Sequence, residues 1–132
     1  MKINDKQPRK MIELLRKHLG NLRDKRIGVL GLAFKPDTDD VRESRALFVV
    51  EELLKEGAKV VAYDPKAMGN FRKIFGQIDY ANASKVMECD AILIVTEWKE
   101  FEELDYTGKI VIDGRRIEKA RKEAKIYEGV CW

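Results

Sequence analysis

Between an apolar run at residues 27–32 and a set of apolar residues at helical spacing from Ala46 lies a loop that carries Lys35, Asp37, Thr38, Asp39, Asp40 and Arg42. Lys35 follows Phe34. A lysine at the end of a strand can lay its stem on the sheet and reach a ligand's hydroxyl or phosphate, and it can equally be a solvated loop lysine. Arg42 carries a planar fork that could clamp a phosphate, or it could pair with Asp39, Asp40 or Glu43. Asp37, Thr38, Asp39 and Asp40 offer oxygen atoms of the kind magnesium or calcium takes. Their spacing fits no metal-loop pattern, and such residues commonly bond their own backbone in turns. A structural role is expected for them, and no metal site is assigned.

Three later clusters also have chemistry-bearing residues at the ends of apolar runs. Asp113-Gly114-Arg115 follows residues 109–112, and Gly114 would let the chain turn so that Arg115 points into the crevice that Lys35 faces. An arginine there matches a diphosphate or a planar base edge with several donors, or it pairs with Asp113, and Arg116 is expected at the surface. Thr96-Glu97-Trp98 is placed to start a short helix, with Thr96 as its cap and Trp98 as a shield or a core residue. Tyr63-Asp64-Pro65 ends another run. The last two clusters are expected to support a site and not to react. His18, Cys89 and Cys131 offer no catalytic arrangement, so no catalytic residue is assigned.

The elements that must position these residues follow from periodicity. Helices are predicted over 4–19, 44–56, 67–76, 83–88, 98–103 and 117–124. Strands are predicted over 26–32, 58–63, 78–80, 90–95, 109–112 and 125–127. Asn4 or Asp5 can cap the first helix, and Pro8 is tolerable only in its first turn. Ala46, Leu47, Val50, Leu53 and Leu54 supply the buried face of the second. Residues 90–95 form the most apolar run, the pattern of a central parallel strand buried on both faces. Strands alternating with helices argue for an α/β fold with a doubly wound parallel sheet. Met11, Ile12, Leu14, Leu15, Leu19 and Leu22 form a wide apolar stripe. It either packs on the sheet or leaves an exposed half for another domain or a second subunit.

Open sheets of this kind bind ligands at the carboxyl ends of their strands. The first turn, however, departs from the dinucleotide fingerprint. Gly28 lies inside the strand, only Gly31 is at the turn, and Phe34 would block the close approach that glycine permits. The fold is therefore read as Rossmann-like but adapted to another nucleotide, with no self-contained NAD site.

Gly31-Leu-Ala-Phe-Lys-Pro-Asp-Thr-Asp-Asp-Val-Arg-Glu-Ser44 resembles the signature that opens the C-terminal UDP-binding domain of UDP-glucose 6-dehydrogenases. Tyr63-Asp64-Pro65, Thr96-Glu97-Trp98 and Asp113-Gly114-Arg115 resemble later motifs of that domain, in the same order. Asn4-Asp5-Lys6-Gln7 resembles a segment of the family's central helix. The resemblance implies a division into residues 1–23, the end of a central dimerisation helix, and residues 24–132, a UDP-binding domain. It implies that Phe34, Lys35 and Arg115 hold UDP-glucose and that Arg42 reaches NAD bound mainly by an absent N-terminal domain. A homodimer through the N-terminal helix is implied as well. Family enzymes oxidise UDP-glucose to UDP-glucuronate with two NAD, through a thioester on a cysteine in a glycine-rich motif. Nothing here matches that motif, so the chain is expected to be part of such an enzyme and inactive alone. A sister domain for GDP-mannose or a UDP-N-acetylhexosamine, or a stand-alone nucleotide-binding module, is the alternative.

Composition sets limits on partners. The chain has 132 residues, 45% apolar and 37% charged, enough for one domain with a core. Its net charge of +3 comes from interspersed signs, without the basic patch that nucleic acid requires. No apolar run approaches the roughly 20 residues of a membrane span. The polar N-terminus and two cysteines point to the cytoplasm as the expected compartment.

Overall fold

The structure, a computed structural model, describes residues 6–130. The expected cap at Asn4 or Asp5, and Cys131, lie outside the described residues. Six strands form one sheet: β1 (Arg26–Leu30), β2 (Lys59–Tyr63), β3 (Asp79–Tyr80), β4 (Ala91–Ile94), β5 (Ile110–Asp113) and β6 (Ile126–Gly129). Their order is β3-β2-β1-β4-β5-β6, and every pairing is parallel. This is the doubly wound order in which the topology reverses between the first and fourth strands, opening a crevice at their carboxyl ends. The α/β, Rossmann-like reading therefore holds.

The helices are α1 (Lys6–Leu19), α2 (Arg45–Lys55), α3 (Met68–Arg72), α4 (Ala83–Val86) and α5 (Glu118–Glu123), with a 3₁₀ turn at Lys99–Glu103. Ser44 caps α2 by accepting a hydrogen bond from the Ala46 amide at 3.1 Å, and Asn82 caps α4 from the Lys85 amide at 3.0 Å. Gly57, at φ +80°, follows α2, in the left-handed conformation that glycine adopts at low cost. Val49 joins Ala46, Val50 and Leu53 on the buried face of α2, while Leu47 and Leu54 are only partly covered. The expected helix at 67–76 is shorter than predicted. Gly69 and Asn70 are weak helix formers, and after Arg72 the chain turns so that Phe75 stacks on buried Phe71.

The apolar stripe of α1 is spent inside the chain. Met11, Ile12, Leu14, Leu15 and Leu22 are all buried in the one core shared with the sheet, and α1 packs on α2 and β5. The expectation of an exposed half is thus corrected: the groove between α2 and β5 covers it. Arg16 forks onto Glu56 at the end of α2. His18 Nε2 lies 2.7 Å and Lys17 Nζ 2.9 Å from Glu128 on the edge strand β6. His18 is therefore a docking residue.

Candidate nucleotide site at the carboxyl ends of the strands

Two buried aspartates organise the loops at the ends of β2 and β5. Asp64 Oδ1 accepts hydrogen bonds from the Lys66 and Ala67 amides, both at 2.8 Å. Its Oδ2 accepts from the Leu32 amide at 2.8 Å, the Ala33 amide at 3.0 Å and the Trp98 indole Nε1–H at 3.1 Å. One carboxylate thus ties the chain after β1, the chain after β2 and the loop after β4 together. Asp113 does similar work at the end of β5. It accepts from the Arg115 and Ile117 amides, each at 2.6 Å, and from the Tyr127 hydroxyl at 2.8 Å. Burial pushes the Asp113 carboxyl above the usual carboxylate range despite these bonds, and burial and Asp113 together push the Tyr127 hydroxyl up.

The two glycines of the first strand serve packing inside the domain. A Cβ on Gly28 would lie 2.6 Å from Val86 Cγ1 of α4. A Cβ on Gly31, whose φ is +96°, would lie 2.5 Å from the Thr96 backbone nitrogen. Both glycines are thus required by contacts within the domain, Gly28 against α4 inside the strand and Gly31 against Thr96 at the turn. Thr96 is not the helix cap that its position suggested. Its hydroxyl donates to the Ala33 carbonyl at 2.8 Å, and the 3₁₀ turn begins without a side-chain cap. Trp98 is buried and resolves the choice between shield and core in favour of an anchor on Asp64.

These bonds fix residues 32 and 33, and the chain then emerges as Phe34, 41% exposed, and exposed Lys35. Arg42 is exposed too, its fork closed on Asp40 with Nε–Oδ1 at 3.0 Å and Nη2–Oδ2 at 2.9 Å. That pair holds the Asp40 carboxyl down to about 2. Arg115 does not pair with Asp113 as its neighbour in sequence. It closes a two-bond fork on Glu97, Nε–Oε2 at 2.5 Å and Nη2–Oε1 at 2.9 Å, across the ends of β4 and β5. Two residues with longer side chains sit in the left-handed region on these loops, Glu43 at φ +62° and Arg116 at φ +63°. Such strain gathers where a loop geometry is held for a purpose.

The structure thus puts Phe34, Lys35 and Arg42 on the loop after β1 and Arg115 on the loop after β5, both at the carboxyl end of the parallel sheet. It records no contact between Lys35 and Arg115. Sequence reasoning missed Glu97 as the partner of Arg115. It also missed Arg45, half-buried in the first turn of α2, within electrostatic reach of both Arg115 and Glu97. The adjacent Ser44 cap was the available signal for Arg45. Among the described residues no group of histidines, cysteines or carboxylates could hold a metal ion, and no helix is long and apolar enough to cross a membrane.

Residues 28–120 match the model of the UDP-glucose/GDP-mannose dehydrogenase family, UDP binding domain. The chain is 48% identical over 135 residues to the UDP-glucose 6-dehydrogenase AglM of Haloferax volcanii, covering 97% of this chain and 31% of that protein. Among solved structures, the UDP-glucose dehydrogenase of the hyperthermophilic archaeon Pyrobaculum islandicum is 48% identical with a TM-score of 0.93, over 98% of this chain and 30% of that one. The UDP-D-ManNAc dehydrogenase of Pyrococcus horikoshii is 30% identical with a TM-score of 0.77, over 96% of this chain and 31% of its own. The chain spans about a third of the length of these relatives. With its strand-end motifs and its sheet order, it belongs to the UDP-glucose/GDP-mannose dehydrogenase family, within that family's UDP binding domain.

Proposed function

We propose that this chain binds the nucleotide sugar in a UDP-glucose 6-dehydrogenase that oxidises UDP-glucose to UDP-glucuronate with two NAD. One observation carries the reading. Motifs far apart in sequence converge on the carboxyl ends of β1, β2, β4 and β5, and Asp64, Thr96 and Glu97 bond them into one frame. Phe34 offers a flat apolar surface to the nucleotide, Lys35 reaches its hydroxyls or phosphates, and Arg115 presents the N–H groups that Glu97 leaves unused. Arg42, at the exposed rim, is the contact to NAD. The rest of the NAD site, and the cysteine chemistry, belong to a domain outside these residues. We carry the division at residues 23 and 24, and the cytoplasmic compartment, as part of the same proposal. Pairing of two copies through the N-terminal helix rests on the resemblance alone, since the apolar stripe of α1 is already covered.

The test is an NMR titration of the chain with UDP, with GDP and NAD as parallel controls. UDP should shift signals from the loops around Lys35 and Arg115, and GDP and NAD should not. Stronger binding of NAD would make this a cofactor domain. Stronger binding of GDP would move the chain to a sister enzyme of the family.

A further inference from the structure

Tyr127 lies on the edge strand β6, yet its hydroxyl is directed at a carboxylate inside the protein. In the register of β5 and β6, Tyr127 stands beside Val111, and Gly129 stands beside Asp113. Residues two apart on a strand share a face, so the Tyr127 ring can lean along β6 toward the carboxyl end of the sheet. Gly129 has no side chain there, and the ring takes the place. A Cβ on Gly129 would already touch it, 3.5 Å from Tyr127 Cε2 and 3.7 Å from the hydroxyl oxygen. Any longer side chain would compete for that space. Set in this way, the hydroxyl donates to Asp113 Oδ2 at 2.8 Å.

Asp113 passes that bond on to the turn after β5. Its Oδ1 accepts from the Arg115 amide and its Oδ2 from the Ile117 amide, each at 2.6 Å. The two bonds bracket Arg116, which sits at φ +63°. A residue with a long side chain stays in that conformation where its surroundings hold it there. Asp113 does the holding. It is fully buried, and a buried carboxylate keeps its charge through the donors on its oxygens. The amide donors belong to the turn itself, so Tyr127 is the side chain that anchors the carboxylate from outside it. The same turn carries Arg115, whose side chain forks onto Glu97 across the ends of β4 and β5. Relaxation at Arg116 would carry the Arg115 backbone with it and pull the fork off Glu97.

We propose that Tyr127 is a positioning residue of the nucleotide site, fixing through Asp113 the turn from which Arg115 meets the nucleotide. This deepens the functional reading above and rests on its placement of Arg115 at the nucleotide. Tyr127 touches no ligand in this arrangement, since its hydroxyl is committed to Asp113. The edge strand β6 thereby becomes part of the site.

The experiment compares the chain with its Tyr127→Phe and Tyr80→Phe variants, with UDP as the probe. Tyr80 is the matched control. It too is half-buried, and its hydroxyl donates to the Phe75 carbonyl at 2.7 Å, on β3 at the opposite edge of the sheet. Both variants keep the ring and lose one hydrogen bond, so each should melt lower by about 4 °C. Tyr127→Phe alone should bind UDP roughly fivefold more weakly in an NMR titration. Without ligand, the Arg115 Nε–H, held on Glu97 in the wild type, should exchange with water faster in Tyr127→Phe and not in Tyr80→Phe. Wild-type affinity in Tyr127→Phe, or an equal loss in Tyr80→Phe, overturns the inference and leaves the UDP reading standing. An Arg115 Nε–H that exchanges alike in all three chains overturns it too, whatever the affinities. A wild-type chain that does not bind UDP overturns the functional reading, and the inference with it.

Discussion

Asp64 shows how much a single carboxylate can organise. Each of its oxygens faces N–H donors only: two amides on one side, two amides and an indole on the other. Asp64→Asn must aim its NH₂ group at donors whichever way the amide is turned. The expected loss is about 3 kcal/mol, the range for a buried, charge-assisted network left unsatisfied, measured by urea unfolding. Trp98→Phe removes one donor and keeps the ring, so its loss should be about 1 kcal/mol. Asp64 could be recognised as a supporting residue from its place before Pro65. Its partners could not, because Leu32 and Trp98 are 32 and 34 residues away in sequence. Arg115 teaches the same lesson. Its neighbour Asp113 looked like the partner, yet Asp113 is engaged by backbone amides, and the fork closes on Glu97 at a separation of 18. Sequence proximity suggests local bonds, and the ends of parallel strands make distant ones.

At the scale of elements, the strands and α2 were legible because burial on both faces leaves continuous apolar runs and Ser44 marks a helix start. The extent of α3 and the fate of the α1 stripe were not, because both depend on what lies across the fold. Docking of α1 can be tested through its core and through its rim. Leu15 is fully buried, and Leu15→Ala should cost about 3 kcal/mol in a denaturant titration. At the rim, Lys17 and His18 pull the Glu128 carboxyl below its ordinary value. An acid with a depressed pKa in the folded state contributes stability above its unfolded pKa and loses it as pH falls through the folded one. Glu128→Gln should therefore cost about 0.5 kcal/mol at pH 7, the scale of a partly exposed ion pair. The difference from wild type should vanish when both are unfolded at pH 3 or below. A difference that persists at that pH would assign the loss to packing. Docking also bears on the site, since the Met11 sulfur lies within 3.5 Å of where a Cβ on Gly114 would be. The helix thus backs the turn that presents Arg115.

At the scale of the molecule, the sheet order gathers the residues of the proposed site at one end, and the proposal assigns the reacting groups to another domain. The chain alone, mixed with UDP-glucose and NAD, should produce no NADH absorbance at 340 nm on any practical timescale. Turnover would mean that the chain itself carries a catalytic group. Because the α1 stripe is covered, the chain should scatter light as a monomer at high concentration. A dimer would show that a surface other than this stripe does the pairing. The sheet order also governs the birth of the molecule on the ribosome. β1 is flanked by β2 on one side and β4 on the other, and β4 is synthesised some 60 residues later. While the intervening chain emerges, the inner edge of β1 stays open, and α1 waits longer still for its seat on β5. Parallel pairings over such separations close slowly and leave edges that can recruit a neighbouring chain. Translation that stalls between β3 and β4 is therefore the point at which aggregation should begin.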